Sequence, residues 1–289
     1  MLVLVTGASG FIGRSLMACL AREGLDARPY NGRLVTHIKL REHLEDVGLV
    51  VHLAGAEARG RNRILQQVDV DGTERLLDEC RRAEIKHLIV VSRLGANPLS
   101  MHGLLRAKGE MERLVHQSEV PYTILRSATL YGRDDRFTEI ILSLALWSWP
   151  FVWLPGGGKT PMQPLWVEDF ARCLVYLLQH PDRYEGQTIT VAGEERMHYR
   201  ELVQRLLAVS GRKRLAVSLP MTLLRPSSRL FFQWWYRPPV SQYFVDCFFV
   251  PEVINTDTVL RHFGFRPSRL TNQIAYLRRS GLRRRLFRR

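Results

Sequence analysis

Cysteine pairs, lysine and long apolar runs are all scarce in this 289-residue chain, and these shortages exclude several classes of protein. The four cysteines are far apart and form no Cys-x-x-Cys pair, which argues against a disulfide scaffold and a zinc finger; they are Cys19, Cys80, Cys173 and Cys247. The nine histidines show no ligand spacing with carboxylates or cysteines, so no metal site is expected. We expect a reducing compartment.

No segment reads as a membrane-spanning helix. The longest apolar stretch, residues 140–154, is too short to cross a bilayer, and Pro150 interrupts it. The aromatic stretch 230–250 contains Arg237 and Asp246. The start, MLVLVTGASG, lacks the basic segment and cleavage site of a signal peptide. We therefore expect a protein that is cytoplasmic or lies peripherally on the cytoplasmic side of a membrane.

Positive charge is in excess and is concentrated at the C-terminus. The chain has 42 basic and 28 acidic residues, a net charge of +14, and only five of the basic residues are lysines. Seven arginines fall within residues 278–289, so this tail carries half of the net charge. Beside the aromatic stretch, the tail predicts that the C-terminal region contacts an anionic membrane surface or a membrane-associated protein complex. Nucleic acid is not an expected partner, because no nucleic-acid-binding module is present.

Short β-branched runs alternate with segments of helical periodicity. Strands are predicted at 2–6, 49–53, 87–91, 122–125 and 187–191, and helices at 11–22, 64–82, 104–117, 167–180 and 198–210. This alternation predicts an α/β fold, a Rossmann-type doubly wound parallel sheet with a smaller C-terminal α/β region. The first domain is expected to span 1–150, with 165–181 returning to it, and the smaller region to span 151–289. The connection within 26–49 is short, so one crossover helix is expected to be truncated.

A glycine-rich turn follows the first predicted strand and opens the first predicted helix. It reads Gly7-Ala8-Ser9-Gly10-Phe11-Ile12-Gly13. Gly7 permits the tight turn, Gly10 lets the backbone approach a pyrophosphate, and Gly13 lets the helix pack close to the sheet. The helix start offers free N–H groups to the phosphates. The pattern predicts a dinucleotide-binding turn, and the alternative is a purely structural one.

Two further segments turn this pattern into a family resemblance. Residues 52–56 (HLAGA) end a middle strand, and residues 68–73 (VDVDGT) open the next helix. With the glycine turn they resemble the extended or atypical branch of the short-chain dehydrogenase/reductase superfamily, which usually has Asn where this chain has Asp69. The resemblance covers residues 2–180. It implies a Rossmann domain whose cofactor has its adenosine end beside Leu53, Ala54 and Gly55.

The reactive residues of that superfamily are only partly present. The resemblance implies a tyrosine that transfers a proton and a lysine four residues later that lowers the pKa of that tyrosine. Lys108 stands at the lysine position, but Leu104 stands at the tyrosine position, and leucine cannot transfer a proton. Val91 and Ser92 end the strand that normally leads to a catalytic hydroxyl. We expect Val91, Ser92 and Lys108 to contact the cofactor, and we assign no catalytic residue.

A narrower resemblance is carried by four segments in the same order. They are 92–97 (SRLGAN), 123–127 (TILRS), 131–137 (YGRDDRF) and 163–169 (QPLWVED). The series resembles the nucleotide-binding accessory subunit of respiratory complex I and its bacterial relatives. The resemblance implies tight NADPH binding without turnover and docking at a membrane near a quinone site. The alternatives are a reductase or epimerase that acts on a quinone precursor or another isoprenoid or small molecule, and a redox-sensing regulator.

The choice of cofactor depends on the end of the second strand. An acidic residue there would bond the ribose hydroxyls and repel a 2′-phosphate, but residues 27–33 contain no carboxylate. Arg14 and Arg33 are candidates to pair with that phosphate, and the alternative is that both are solvated surface residues. The related subunit has an arginine where this chain has Asn31. We expect NADP(H) rather than NAD(H).

Overall fold

The computed structural model describes residues 1–32, 34, 40–57, 62–222, 242–255 and 257–278. The chain divides into two compact units. The first comprises Met1–Ser127 and Val167–Val191, and the second comprises Ala128–Trp166 and Ala192–Arg289. Arg33, most of the aromatic stretch and all but the first residue of the basic tail lie outside the described residues.

The strands of the described residues are β1 (Leu2–Thr6), β2 (Ala27–Tyr30), β3 (Val47–His52), β4 (His87–Arg93), β5 (Tyr122–Ser127), β6 (Leu130–Tyr131), β7 (Phe151–Pro155), β8 (Pro161–Met162), β9 (Leu165–Trp166), β10 (Thr188–Val191), β11 (Met197–His198) and β12 (Leu215–Leu219). The longer helices and the single turns between them are α1 (Phe11–Arg22), α2 (Leu40–His43), α3 (Asn62–Leu65), α4 (Asp71–Arg82), α5 (Gly103–His116), α6 (Thr138–Trp147), α7 (Val167–Gln179) and α8 (Tyr199–Val209). Short helices follow at Gln242–Asp246, Thr258–Phe263 and Leu270–Gln273.

The first unit is built on a parallel sheet. Its six described strands lie in the order β2-β1-β3-β4-β5-β10, and every neighbouring pair is parallel. β3 and β4 are buried along their whole length, as expected for strands covered on both faces. Helices α4 and α5 share a core cluster with the sheet, and α1 packs against α7. The predicted Rossmann-type α/β fold is confirmed.

The direction in which successive strands are added reverses between β1 and β3. In open parallel sheets, ligands bind outside the carboxyl ends of the strands at such a switch point. The ends of β1 and β3 are Thr6 and His52, which are register partners. The described part of the connection from β2 to β3 contains only the single-turn helix α2.

The expected limit of the first domain at residue 150 differs from the observed division, because residues 128–150 fall in the second unit. The physical reason is the packing of α6. Its buried face, which includes Leu142 and Leu146, shares one hydrophobic cluster with Leu202 and Leu206 of α8. Strand pairs β7–β12, β8–β11 and β6–β9 complete this unit among the described residues.

The predicted helix 64–82 is interrupted. It consists of α3, a π-helical turn at Gln66–Val70, and α4. Such wide turns insert an extra residue and often mark functional sites. Here the turn contains Asp69, whose side chain is fully buried. No helix among the described residues is long and apolar enough to cross a membrane.

Gly109, within α5, is where the preceding loop comes closest to the helix. A Cβ there would lie 2.2 Å from the Pro98 nitrogen and 2.3 Å from the Asn97 carbonyl carbon, both backbone atoms. We expect Gly109→Ala to lower the free energy of unfolding by about 1–3 kcal/mol, the usual cost of overpacking. Gly72→Ala on α4 is the control, because the nearest atom to its Cβ is Leu34 Cβ at 3.4 Å. Urea unfolding compares the two, and equal stability would contradict the prediction.

Candidate functional site

The glycine turn joins the end of β1 to the start of α1. Gly7 has a φ of +68°, and a Cβ on it would lie 2.9 Å from the Ala54 nitrogen. A Cβ on Gly13 would lie 2.3 Å from the Gly7 oxygen. The Gly10 N–H donates to that same oxygen at 2.9 Å, and α1 begins at Phe11. The absence of side chains therefore lets the helix start, the turn and the residues after β3 lie against one another.

Ser9, at the tip of the turn, is held from both sides. Its N–H donates to Asn31 Oδ1 at 3.1 Å, which links the turn to the end of β2. Its carbonyl oxygen accepts from Arg14 Nη1 at 2.9 Å. Arg14 is exposed beside the turn, whereas the predicted role of Arg33 lies outside the described residues. Ile12 is half-buried in the first turn of α1.

A buried hydrogen-bond chain fixes the carboxyl end of β3. The Thr73 hydroxyl donates to the Asp69 carbonyl oxygen at 2.6 Å, so it accepts from His52 Nε2 at 3.0 Å. His52 Nδ1 then accepts from the Thr6 hydroxyl at 2.8 Å. The Thr6 oxygen in turn accepts from the Leu53 N–H at 3.2 Å. This series of hydrogen bonds requires a neutral His52 with its proton on Nε2.

The environment of His52 disfavours its charged form. Burial, with a smaller contribution from the positive charge of Lys108, lowers the pKa of His52 to about 3. The buried His87 resembles it, since burial lowers its pKa to about 4. Its Nε2 donates to the Thr123 hydroxyl at 2.9 Å.

Lys108 forms a buried ion pair with Asp69. The distance from Lys108 Nζ to Asp69 Oδ1 is 2.9 Å, and the two side chains are 5% and 0% exposed. Asp69 Oδ2 accepts from the Ala56 N–H at 2.9 Å. A Cβ on Gly55 would lie 3.0 Å from Asp69 Oδ1 and 3.4 Å from Lys108 Nζ. The pair therefore connects α5 and the π-helical turn with the segment 53–56 after β3.

The Lys108 amine also lies 3.5 Å from the Val91 carbonyl oxygen. Burial alone lowers the pKa of Lys108, but the charges of Asp69 and Glu57 more than offset it, so this pKa is raised. Glu57 is also 3.9 Å from the buried guanidinium of Arg93 at the end of β4. Two cations and two carboxylates thus lie together at the carboxyl edge of the sheet.

Ser92 and Leu104 are both buried. Among the described residues, no hydrogen-bond partner is present for Ser92 Oγ. Leu104 provides only hydrocarbon at the position that the resemblance assigns to a proton donor. Tyr131 lies in the second unit, with its ring centroid 5.3 Å from that of Trp166.

The residues at this edge fit a nicotinamide dinucleotide. The glycine turn gives a close backbone approach at a helix N-terminus, and buried Ser92 Oγ is a polar atom without a described partner. The structure brings residues 7–13, 53–55, 91–92 and 108 to one edge, although their cofactor contacts stay a prediction. Sequence reasoning missed the ionic partner of Lys108 and the role of His52. The departure from Asn at Asp69 was the available signal.

Comparisons with known proteins agree with this geometry. Residues 21–144 match a family described as NAD(P)H-binding. The NADH dehydrogenase (ubiquinone) 1 alpha subcomplex subunit 9, mitochondrial, of Mus musculus is 27% identical, with 95% of this chain and 79% of the mouse protein covered. Photosystem II assembly factor Ycf39 of Synechocystis is 25% identical, with 96% and 90% covered. The structure of Bacillus cereus UDP-glucuronic acid 4-epimerase with UDP-glucuronic acid and NAD has a TM-score of 0.75 and 18% identity, with 95% and 96% covered.

Residues 21–144 thus match an NAD(P)H-binding family, and the chain has the Rossmann-type fold of UDP-glucuronic acid 4-epimerase. The chain is a homologue of the mitochondrial alpha subcomplex subunit 9 and of photosystem II assembly factor Ycf39. The predicted resemblance to atypical dehydrogenase/reductases and complex I accessory subunits is confirmed.

Breaking the Lys108–Asp69 pair from one side should be costly. Lys108→Met leaves a buried carboxylate without its cation, so we expect the free energy of unfolding to fall by about 3–5 kcal/mol. Adding Asp69→Asn should restore about 1 kcal/mol or more, because contacting residues are not additive. Arg113→Met is the control, since its 2.8 Å pair with Glu110 on the same helix is exposed. A Lys108→Met loss no larger than that of Arg113→Met would rule out this role.

Stability should fall with acidification because of His52. The unfolded chain takes up a proton below the ordinary pKa of 6.5, whereas the folded chain does so only near 3. From pH 7 to pH 5, this difference removes about 2 kcal/mol of stability. His52→Gln should therefore flatten the pH dependence by that amount, and His180→Gln, an exposed control, should not. Urea unfolding at both pH values tests this; identical pH dependence in wild type and His52→Gln would refute it.

Proposed function

We propose that this protein binds NADP(H) at the glycine turn and holds it without turnover, as an accessory or assembly subunit of a membrane-associated respiratory complex. The proposal rests on the residues found at the two positions where the related superfamily has its reactive tyrosine and lysine. Leu104 is a buried hydrocarbon at the tyrosine position, and the Lys108 amine is committed to Asp69 at 2.9 Å. Hydride transfer to or from a carbonyl requires a matched proton transfer, and Leu104 cannot donate or accept that proton.

The preference for NADP(H) is supported by the end of β2. Asn31 occupies the place beside the glycine turn, and its amide brings no negative charge to repel a 2′-phosphate. The exposed guanidinium of Arg14 lies on the same turn. A bound nucleotide that contacts only the native state would stabilise the fold by linkage.

The partner is proposed from the relatives and from charge. A relative named as a subunit of NADH dehydrogenase and another named as a photosystem II assembly factor both point to a membrane-associated complex. The basic C-terminal region would attach the protein peripherally, on the cytoplasmic side, to anionic lipid or an acidic subunit.

The second candidate is an NAD(P)-dependent reductase or epimerase that acts on a quinone precursor or another isoprenoid or small molecule. Ser92 favours it, because its buried hydroxyl oxygen has no described partner and could contact a substrate oxygen. The fold shared with epimerases is compatible with either function.

Loss of absorbance by bound NADPH distinguishes the two functions. We expect purified protein to retain NADPH and to oxidise it negligibly with quinones or aldehydes, because Leu104 cannot transfer a proton. Gly10→Val is the binding control, since a branched side chain would occupy the pyrophosphate site, while its Cβ would meet only the Gly7 oxygen at 3.1 Å. Oxidation at ordinary enzymatic rates would support the reductase instead. Wild-type nucleotide content in Gly10→Val would reject the binding site.

The cofactor preference should depend on residue 31. Asn31→Asp keeps the acceptor for the Ser9 N–H but adds a negative charge, so we expect the preference for NADPH over NADH to fall roughly tenfold, about 1.4 kcal/mol. Dissociation constants for both nucleotides measure it, with Asp26→Asn as a charge control before β2. An unchanged ratio would place the 2′-position elsewhere.

A further inference from the structure

Large apolar side chains are exposed within residues 147–153 and at Leu215 of the second unit. Trp147, Trp149, Trp153 and Leu215 are 58%, 71%, 46% and 63% exposed, and Phe151 is also exposed. We call these five residues the aromatic edge. Every exposed Trp and Phe among the described residues belongs to this set. Contiguous exposed apolar groups of this kind mark interaction surfaces.

The aromatic edge is held by regular structure. In β7, Phe151 and Trp153 point outward, and their ring centroids are 6.2 Å apart. Val152 and Leu154 of the same strand are buried. β12 pairs with β7 in a register that puts Leu215 beside Phe151. In the described part of the chain, these two strands pair with no third strand.

The turn that carries Trp149 is also fixed. The Ser148 N–H donates to the Leu144 oxygen at 3.0 Å, and the Phe151 N–H donates to the Ser148 oxygen at 2.7 Å. Arg214 Nε donates to the Ala145 oxygen at 2.8 Å, which connects β12 to the end of α6. The indoles are therefore presented by a structure that does not need a partner to form.

The two sequence segments that carry the aromatic edge are basic, although one of their cations, Arg205, is paired with Glu195 and Glu201. Residues 140–167 and 202–222 contain five basic residues and no acidic one. Arg212 and Lys213, directly before β12, are exposed. Tryptophan is enriched at membrane–water interfaces, and neighbouring cations favour anionic lipid.

We propose that the aromatic edge inserts into the headgroup region of an anionic lipid bilayer, with Arg212 and Lys213 at its rim. This surface deepens the membrane attachment of the proposed function and includes no residue of the basic tail. A bilayer offers phosphates to the cations and acyl chains to the indoles. An acidic protein surface would have to bury its carboxylates against three indoles and a leucine, which is unfavourable.

The test uses the full chain with vesicles of phosphatidylcholine alone or mixed with phosphatidylglycerol. Trp149→Ser combined with Trp153→Ser should weaken cosedimentation with anionic vesicles by roughly tenfold or more, because each substitution removes an amphipathic indole ring. Leu99→Ser with Met101→Ser, which removes exposed apolar residues from the first unit, should bind like wild type. Trp149→Phe with Trp153→Phe should keep most of the binding but reduce fluorescence quenching by lipids with brominated acyl chains to the part that comes from Trp147. Deletion of 279–289 should reduce the salt-sensitive part of binding and leave quenching of vesicle-bound protein intact.

Thermal unfolding and nucleotide content are measured on every variant, so a lost fold is recognised. Vesicle binding by the double serine variant equal to wild type, or no quenching in wild type, would overturn the aromatic edge as a lipid contact. A concentration-dependent dimer that only the serine variant abolishes would show a contact between two copies instead. None of these results changes NADPH retention or turnover, so the proposed nucleotide role fails only on its own experiment.

Discussion

The buried ion pair between Lys108 and Asp69 is the interaction on which the first unit's site depends. Two opposite charges withdrawn from water are tolerable only when each has a partner in good geometry. Here each charge has a partner through the 2.9 Å ionic contact and the Ala56 N–H on Asp69 Oδ2, while Asp69 Oδ1 accepts no hydrogen bond among the described residues. The pair thereby fixes the segment after β3, which is also where Gly7 approaches Ala54. The local positions of the loop, α5 and the π-helical turn are consequently linked.

The same pair bears on the chemistry at the end of β4. In the superfamily that the sequence resembles, the lysine is associated with a proton-transferring tyrosine, but here its described ionic partner is a carboxylate. The positive charge of Lys108 is one reason that His52 stays neutral, and neutral His52 completes the hydrogen-bond chain from Thr6 to Thr73. Electrostatics and hydrogen bonding thus fix the side chains at this edge of the sheet.

The second unit presents a different balance. Its core holds α6 and α8 together, and the same packing leaves the aromatic edge on the surface. Large exposed apolar patches in folded proteins often mark interaction surfaces. The exposed aromatic residues belong to the second unit, whereas the glycine turn and Lys108 belong to the first.

The sequence by itself determined the elements that follow local rules. Strand 2–6 and helix 11–22 were predicted with the observed limits, because β-branched runs, glycine spacing and helical periodicity are local signals. The glycine turn, Lys108 and Leu104 could likewise be identified from motif positions. Only the tertiary structure decided that Asp69 neutralises Lys108, that residues 128–150 join the second unit, and that an apolar run exposes Trp149 and Trp153. These outcomes depend on strand pairing and on contacts between residues far apart in the chain, and such contacts leave no periodic trace in the sequence.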